Sequence, residues 1–362
     1  MTNINNKESS LIQVGSNSLI RAGNAIEITK KLLAEFNKKT TVTEIKGKLK
    51  WRFKTEDCIF AAPTIMDSVV YFGSYDGNLY AVDIHTGQLK WKFKANDYVI
   101  STPAIINDSI YFGSGDSVYA INRISGQLKW KFKTEDSVAA IDFSPRIMDG
   151  IVYFGSWDKY FYALDIQSGN LKWKFKTNGL VFPSPIFIND IVCFSSDEGY
   201  LYALDSLNGE LIWKSEIENN CYSGPVIENG IIYLGSEYLY SIDGQSGKIK
   251  WKFELECDDA VTYKPLVMDG NVYFVSKEGV FYSLDCESGE LKWKLEFDDG
   301  IWSSPIIMNG VVYLAIGDLY AIDSHSGKIK WKYEIEQGNN TTPSIKNGII
   351  YFGSDNYLYA IE

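Results

Sequence analysis

The chain has only two histidines, and its five cysteines are scattered as Cys58, Cys193, Cys221, Cys257 and Cys286. An odd cysteine set with no CxxC pair argues against a disulfide framework or a zinc site; reduced thiols and a cytoplasmic location are expected. His85 and His325 stand at one repeated position, two residues before Gly87 and Gly327. They read as turn residues, not as a base beside a nucleophile. There is no P-loop, no GxGxxG leading into a helix and no HExxH, so the common phosphate, dinucleotide and zinc-protease signatures are absent. No apolar run approaches the roughly 18 residues of a membrane span, and the longest, Val311 to Ile322, is broken by Asp318. The first residues carry no apolar stretch of the kind a secretion signal requires, so none is expected.

Charge is abundant but lopsided. The net charge is −11. Residues 1–46 hold seven Lys or Arg against four Glu, which is +3, leaving −14 for the remainder. An acidic body is a poor match for nucleic-acid phosphates, so no nucleic-acid partner is expected.

Aromatics are plentiful, with 24 Tyr, 19 Phe and 10 Trp, and they fall in period-two segments suited to an all-β fold. In Gly47-Lys48-Leu49-Lys50-Trp51-Arg52-Phe53-Lys54, apolar side chains alternate with charged ones. Trp51, Trp91, Trp130, Trp173, Trp213, Trp251, Trp293 and Trp331 each follow a glycine by four residues, at steps of 38 to 43. This is a repeat protein. Each unit reads as a first strand carrying a fixed proline (Pro63, Pro103, Pro145, Pro185, Pro225, Pro265, Pro305, Pro343), two further strands, and the tryptophan strand. The last unit lacks its fourth strand, and residues 47–54 are a fourth strand without a unit. Pairing them closes a ring and removes an exposed edge. The expected fold is an eight-bladed all-β propeller over 47–362. In the preceding segment, 1–46, Ile26, Leu33 and Phe36 recur at helical spacing, predicting an amphipathic helix at about 24–37 that packs on the ring or docks a partner.

The stretch Val70–Trp91, VYFGSYDGNLYAVDIHTGQLKW, resembles the pyrroloquinoline-quinone-type propeller repeat with its tryptophan-docking signature. That repeat is shared by quinoprotein dehydrogenases, outer-membrane assembly lipoproteins and ligand- or partner-binding modules, so it implies the fold more strongly than a function. The dehydrogenases would imply a quinone, calcium, a catalytic Asp and adjacent cysteines; this chain has no Cys-Cys pair and no long insertions. The lipoproteins would imply a signal peptide and a lipidated cysteine. The expectation is therefore no catalysis, no cofactor and no metal.

Departures from the repeat mark candidate sites. Three residues before the prolines stand Phe60, Phe182, Tyr222 and Trp302 among non-aromatic equivalents, a possible stacking surface at one channel mouth. Lys264 replaces the small residue before a proline, and Arg146 the small or apolar residue after one. The pair could hold an anionic ligand or serve structural ion pairs. Carboxylate pairs Glu56-Asp57, Glu135-Asp136, Asp258-Asp259 and Asp298-Asp299 form an acidic rim, read as solvated or as a site for a cation or basic peptide. The function expected is a monomeric, non-membrane scaffold binding a protein or peptide, with 1–46 as a second docking element. The alternative is a sensor of a small anion at the channel mouth.

Overall fold

The computed structural model describes residues 45–135, 141, 144–181, 184–218, 221, 223–256, 259–261, 263–298, 300–301, 303–335 and 340–362. The helix expected at 24–37, with Ile26, Leu33 and Phe36, lies outside them. Ile45–Glu362 forms one compact unit.

Local chemistry builds each blade. In five blades the first hairpin turns through two residues with positive φ, as at Asp149 (46°) and Gly150 (75°), the mirror-image turn whose twist matches that of the flanking strands. In blade 1 the strands Thr64–Met66, Val69–Gly73, Asn78–Asp83 and Leu89–Lys94 follow in order as an antiparallel sheet. Eight such four-stranded sheets occur. The prolines sit one residue before the inner strands, not in them: Pro63 precedes Thr64 and Pro343 precedes Ser344. Each inner strand is only three residues long, and a proline, with no N–H to give, fits the point where pairing begins.

The ring closes as its pattern requires. Leu49–Lys54 pairs antiparallel with Tyr357–Ile361, setting Arg52 opposite Tyr359 and Lys54 opposite Tyr357. Trp51 and Phe53 then pack with Tyr351, Leu358, Val70 and Phe72 across the seam between the last blade and the first. Ile45 is 2% exposed and joins the neighbouring seam, so packing reaches at least two residues ahead of the repeat signature.

The seams show why glycine and tryptophan recur. Trp51 lies over Gly87 of the next blade, where a β-carbon would come within 2.8 Å of the indole, and Gly87 has φ +69°. Only glycine meets both conditions. The indole N–H of Trp91 donates to the Arg123 carbonyl at 3.1 Å, and that oxygen also accepts from the Tyr71 hydroxyl. Trp173 and Tyr153 share the Ser206 carbonyl in the same way.

The seam between the fourth blade (186–216) and the fifth (226–254) departs from this plan. Cys193 stands at the tyrosine position and Ser215 at the phenylalanine position, and the buried Trp213 indole N–H has no partner among the described residues. The outer strand of every blade carries an irregularity beside its tryptophan, as between Leu89 and Trp91 in the pairing of blade 1. The bulged residue is a lysine elsewhere, and Lys90 and Lys292 reach Asp83 and Asp285 at 3.3 and 3.0 Å. In the fourth blade it is Ile212, which is 48% exposed beside Leu211 and Leu207.

Candidate functional site at the channel mouth

One face of the ring is built from the loop entering each inner strand and the turn between the second and third strands. The two are tied together: the Tyr75 N–H donates to the Cys58 carbonyl at 2.8 Å, and the Glu56 N–H to Asp76 Oδ2 at 3.2 Å. His85 lies in a turn at the other end of the strands, where its N–H donates to Asp83 Oδ1 at 3.0 Å.

Phe60 is 45% exposed on this face and meets Tyr75, itself 43% exposed, at 4.9 Å between ring centroids. Tyr75 in turn stacks on Tyr98 at 4.9 Å and 9°. Tyr75 and Tyr98 escape a reading that looks only at the position before the prolines; the signal was Tyr75 and Trp157 at the matching turn position in blades 1 and 3, both well exposed. Phe182, Tyr222 and Trp302 lie outside the described residues. The position Phe60 occupies is not uniformly a lining position: its equivalent Asn340 is 5% exposed and bridges to Ser354.

Two first carboxylates of the acidic rim, Glu56 and Glu135, engage in pairs. Glu56 meets Lys92 of the next blade at 3.5 Å, and Glu135 meets Lys174 at 2.5 Å. Glu218 and Glu256 hold Lys252 and Lys294 in the same way, at 2.8 and 3.1 Å. The second carboxylates cap turns: Asp57 Oδ1 accepts the Cys58 N–H, and the buried Asp259 accepts those of Ala260 and Glu278. Asp298 is exposed, while Asp136, Asp258 and Asp299 are outside the described residues. Rim carboxylates so committed carry less free charge than their number implies, and exposed pairs of this kind contribute little stability.

Arg146 and Lys264 come within electrostatic reach of each other. Arg146 opens the inner strand of the third blade, and Lys264 stands two residues before that of the sixth. Strands three blades apart approach one another only across the ring axis. Burial, and after it the Arg146 charge, pull the Lys264 ammonium down to about 8; crowding by the surrounding chain likewise lowers Arg146, although that residue is open to solvent. The stem of Lys264 runs beside Gly224, which stands at the same position in the adjacent blade. A β-carbon there would already touch the lysine stem at 3.7 to 3.8 Å.

Among the described residues, no group of three or more His, Cys, Asp or Glu could hold a metal ion, and no helix is long and apolar enough to cross a membrane. Cys193 and Cys221 are buried together in the seam between the fourth and fifth blades, and burial pushes both thiols up to about 12. These residues do not fit the calcium, quinone and paired-cysteine centre that the resemblance to dehydrogenases implies.

Comparison with known proteins places this geometry. No curated protein matches the sequence. Among solved structures, BamB from Moraxella catarrhalis superposes with a TM-score of 0.74 at 18% identity, covering 86% of this chain and 96% of that one. The computationally designed protein Ika8 gives 0.75 at 17%, covering 88% and 99%. A quinohemoprotein alcohol dehydrogenase from Pseudomonas putida HK5 gives 0.74 at 13%, covering 86% and 75%. Identities this low show a shared fold alone. The family model described as outer membrane protein assembly factor BamB matches residues 21–215 and 197–362, nearly the whole chain, and the protein belongs to that family.

Proposed function

We propose that the protein is a non-catalytic scaffold that binds a protein partner across the face bearing Phe60, Tyr75 and Tyr98. The observation that carries this reading is the contiguous aromatic row on that face, with Phe60 and Tyr75 well exposed and Tyr98 partly so. Rigid rings held at a surface provide large contact area at small entropic cost, the usual character of interface anchors. A family described by an assembly factor, and a similar structure that is itself a BamB, support the same reading. The segment 1–44 is proposed as a second docking element, and the cytoplasmic setting expected from the cysteines is part of the proposal, checked by cell fractionation.

Affinity co-purification from the native host tests it. The full chain, a version starting at Ile45, and the full chain with Phe60→Ala and Tyr75→Ala are compared. A partner held by the full chain and lost with the double substitution supports the face. A partner unaffected by that substitution refutes it, and one lost only on truncation moves the interaction to the N-terminal segment.

A further inference from the structure

The two cations on the axis have no structural use that the described residues supply. Several other cations of the repeat are committed. Lys92, Lys174, Lys252 and Lys294 pair with rim carboxylates, and Arg123 bridges Asp67 and Asp108 at 2.7 and 3.7 Å. Neither Arg146 nor Lys264 has an ion-pair or hydrogen-bond partner among the described residues; Lys264 is partly buried, whereas Arg146 is open to solvent. The positions immediately before and after the eight prolines hold no Asp or Glu at all. Holding two like charges near one another in a confined space is unfavourable unless a counter-charge repays it.

The neighbouring positions are furnished to receive one. Small residues and hydroxyls dominate the ring before the prolines, including Thr102, Ser144, Ser304 and Thr342. Some of these knit blades together: the Thr102 N–H donates to Ser144 Oγ and the Ser304 N–H to Thr342 Oγ1, each at 3.0 Å. A hydroxyl that accepts in such a bond still has its own proton to donate inward. Replacing one small or hydroxyl residue by the long Lys264, whose stem runs beside Gly224, and one small or apolar residue by Arg146 turns a neutral lining into a bidentate one. A planar guanidinium and a mobile ammonium within electrostatic reach of each other suit a compact ligand with at least two negative charges. The overall charge of −11 makes general surface attraction of anions a poor explanation for binding here.

We infer that Arg146 and Lys264 form an anion-binding site on the propeller axis, taking a small polyanion whose carboxylate or phosphate groups are clasped between the two side chains. The site is independent of the aromatic face proposed for partner docking. Its occupation adds a counter-charge that ties the third blade to the sixth, so the ligand stabilises the ring against opening.

The test uses the full chain in a buffer of large monovalent ions. Citrate and pyrophosphate, titrated separately, distinguish a polycarboxylate from a phosphate source, with sodium chloride at matched ionic strength and acetate as controls. At about ten times its Kd, one of the polyanions should raise Tm by roughly 3 °C, while neither control does. Arg146→Gln and Lys264→Gln should each weaken binding at least tenfold, and Lys264→Arg should restore part of it. Should a variant fold poorly, the wild type alone provides a second reading. Calorimetry near pH 8 in two buffers of different ionisation heat should show proton uptake on binding, because the anion favours the charged lysine. Stabilisation equal to that by chloride, stabilisation that survives the double substitution, or no stabilisation by either polyanion would each overturn the assignment.

Discussion

Replacing Lys264 by methionine should stabilise the protein at neutral pH and flatten its pH dependence just above neutrality. The native fold holds this ammonium at about 8 instead of the ordinary 10.5, chiefly through burial and then through the Arg146 charge. A base with a lowered folded pKa is a liability while it is protonated in both states, which is the case below about pH 8. As the pH rises, the folded protein releases its proton first. Between about pH 8 and about pH 10.5 the unfolded chain binds more protons, so stability climbs with pH. The gap in pKa corresponds to about 3 kcal/mol of penalty at neutral pH, a ceiling given the water the side chain still touches. From about pH 7 to about pH 9, rather more than 1 kcal/mol of it should be recovered. Urea unfolding across that range, in a buffer of large monovalent ions, measures this as the difference between wild type and Lys264→Met. Working with the difference removes the tyrosines, whose buried hydroxyls titrate higher than usual and in the opposite sense. Two profiles that run parallel over this interval would show that the lysine charge is not desolvated in the fold, and the reasoning about the axis would fail with it.

Other consequences are more local. Deleting residues 1–56 removes Trp51 and Phe53 from the closing seam, about 2 to 3 kcal/mol of apolar burial each; light scattering should show aggregation that a chain starting at Ile45 does not. Tyr153→Phe should cost only about 1 kcal/mol in chemical denaturation, because the Ser206 carbonyl it leaves still accepts from Trp173. Gly113→Ala should be far worse, about 3 kcal/mol or more, since its β-carbon would stand 2.2 Å from the Ile141 carbonyl oxygen and backbone cannot step aside. Ile212→Lys restores the edge cation of the other blades and should lower concentration-dependent self-association in sedimentation while changing stability by no more than about 0.5 kcal/mol.

The sequence by itself determined the ring. Eight glycine–tryptophan pairs at a nearly constant step, with a surplus strand at one end and a missing one at the other, left one arrangement that pairs every strand, because an unpaired edge is costly and a period of two admits a single register for each buried face. It also marked Arg146 and Lys264, since in a repeat any charge standing where its equivalents are small is visible without coordinates. What the sequence could not settle was distance between repeats. That Arg146 and Lys264 come within electrostatic reach of each other depends on the third and sixth blades bordering the same axis, a relation that no local pattern encodes. The paired state of the rim was hidden for the same reason: Glu56 finds Lys92 only once two blades are packed side by side. The row Phe60, Tyr75 and Tyr98 joins two loops and a turn that are separate in the chain. Periodicity fixes what each strand is, whereas the curvature that brings distant strands to one axis arises from packing in the seams, and the tertiary structure alone decided which side chains became neighbours there.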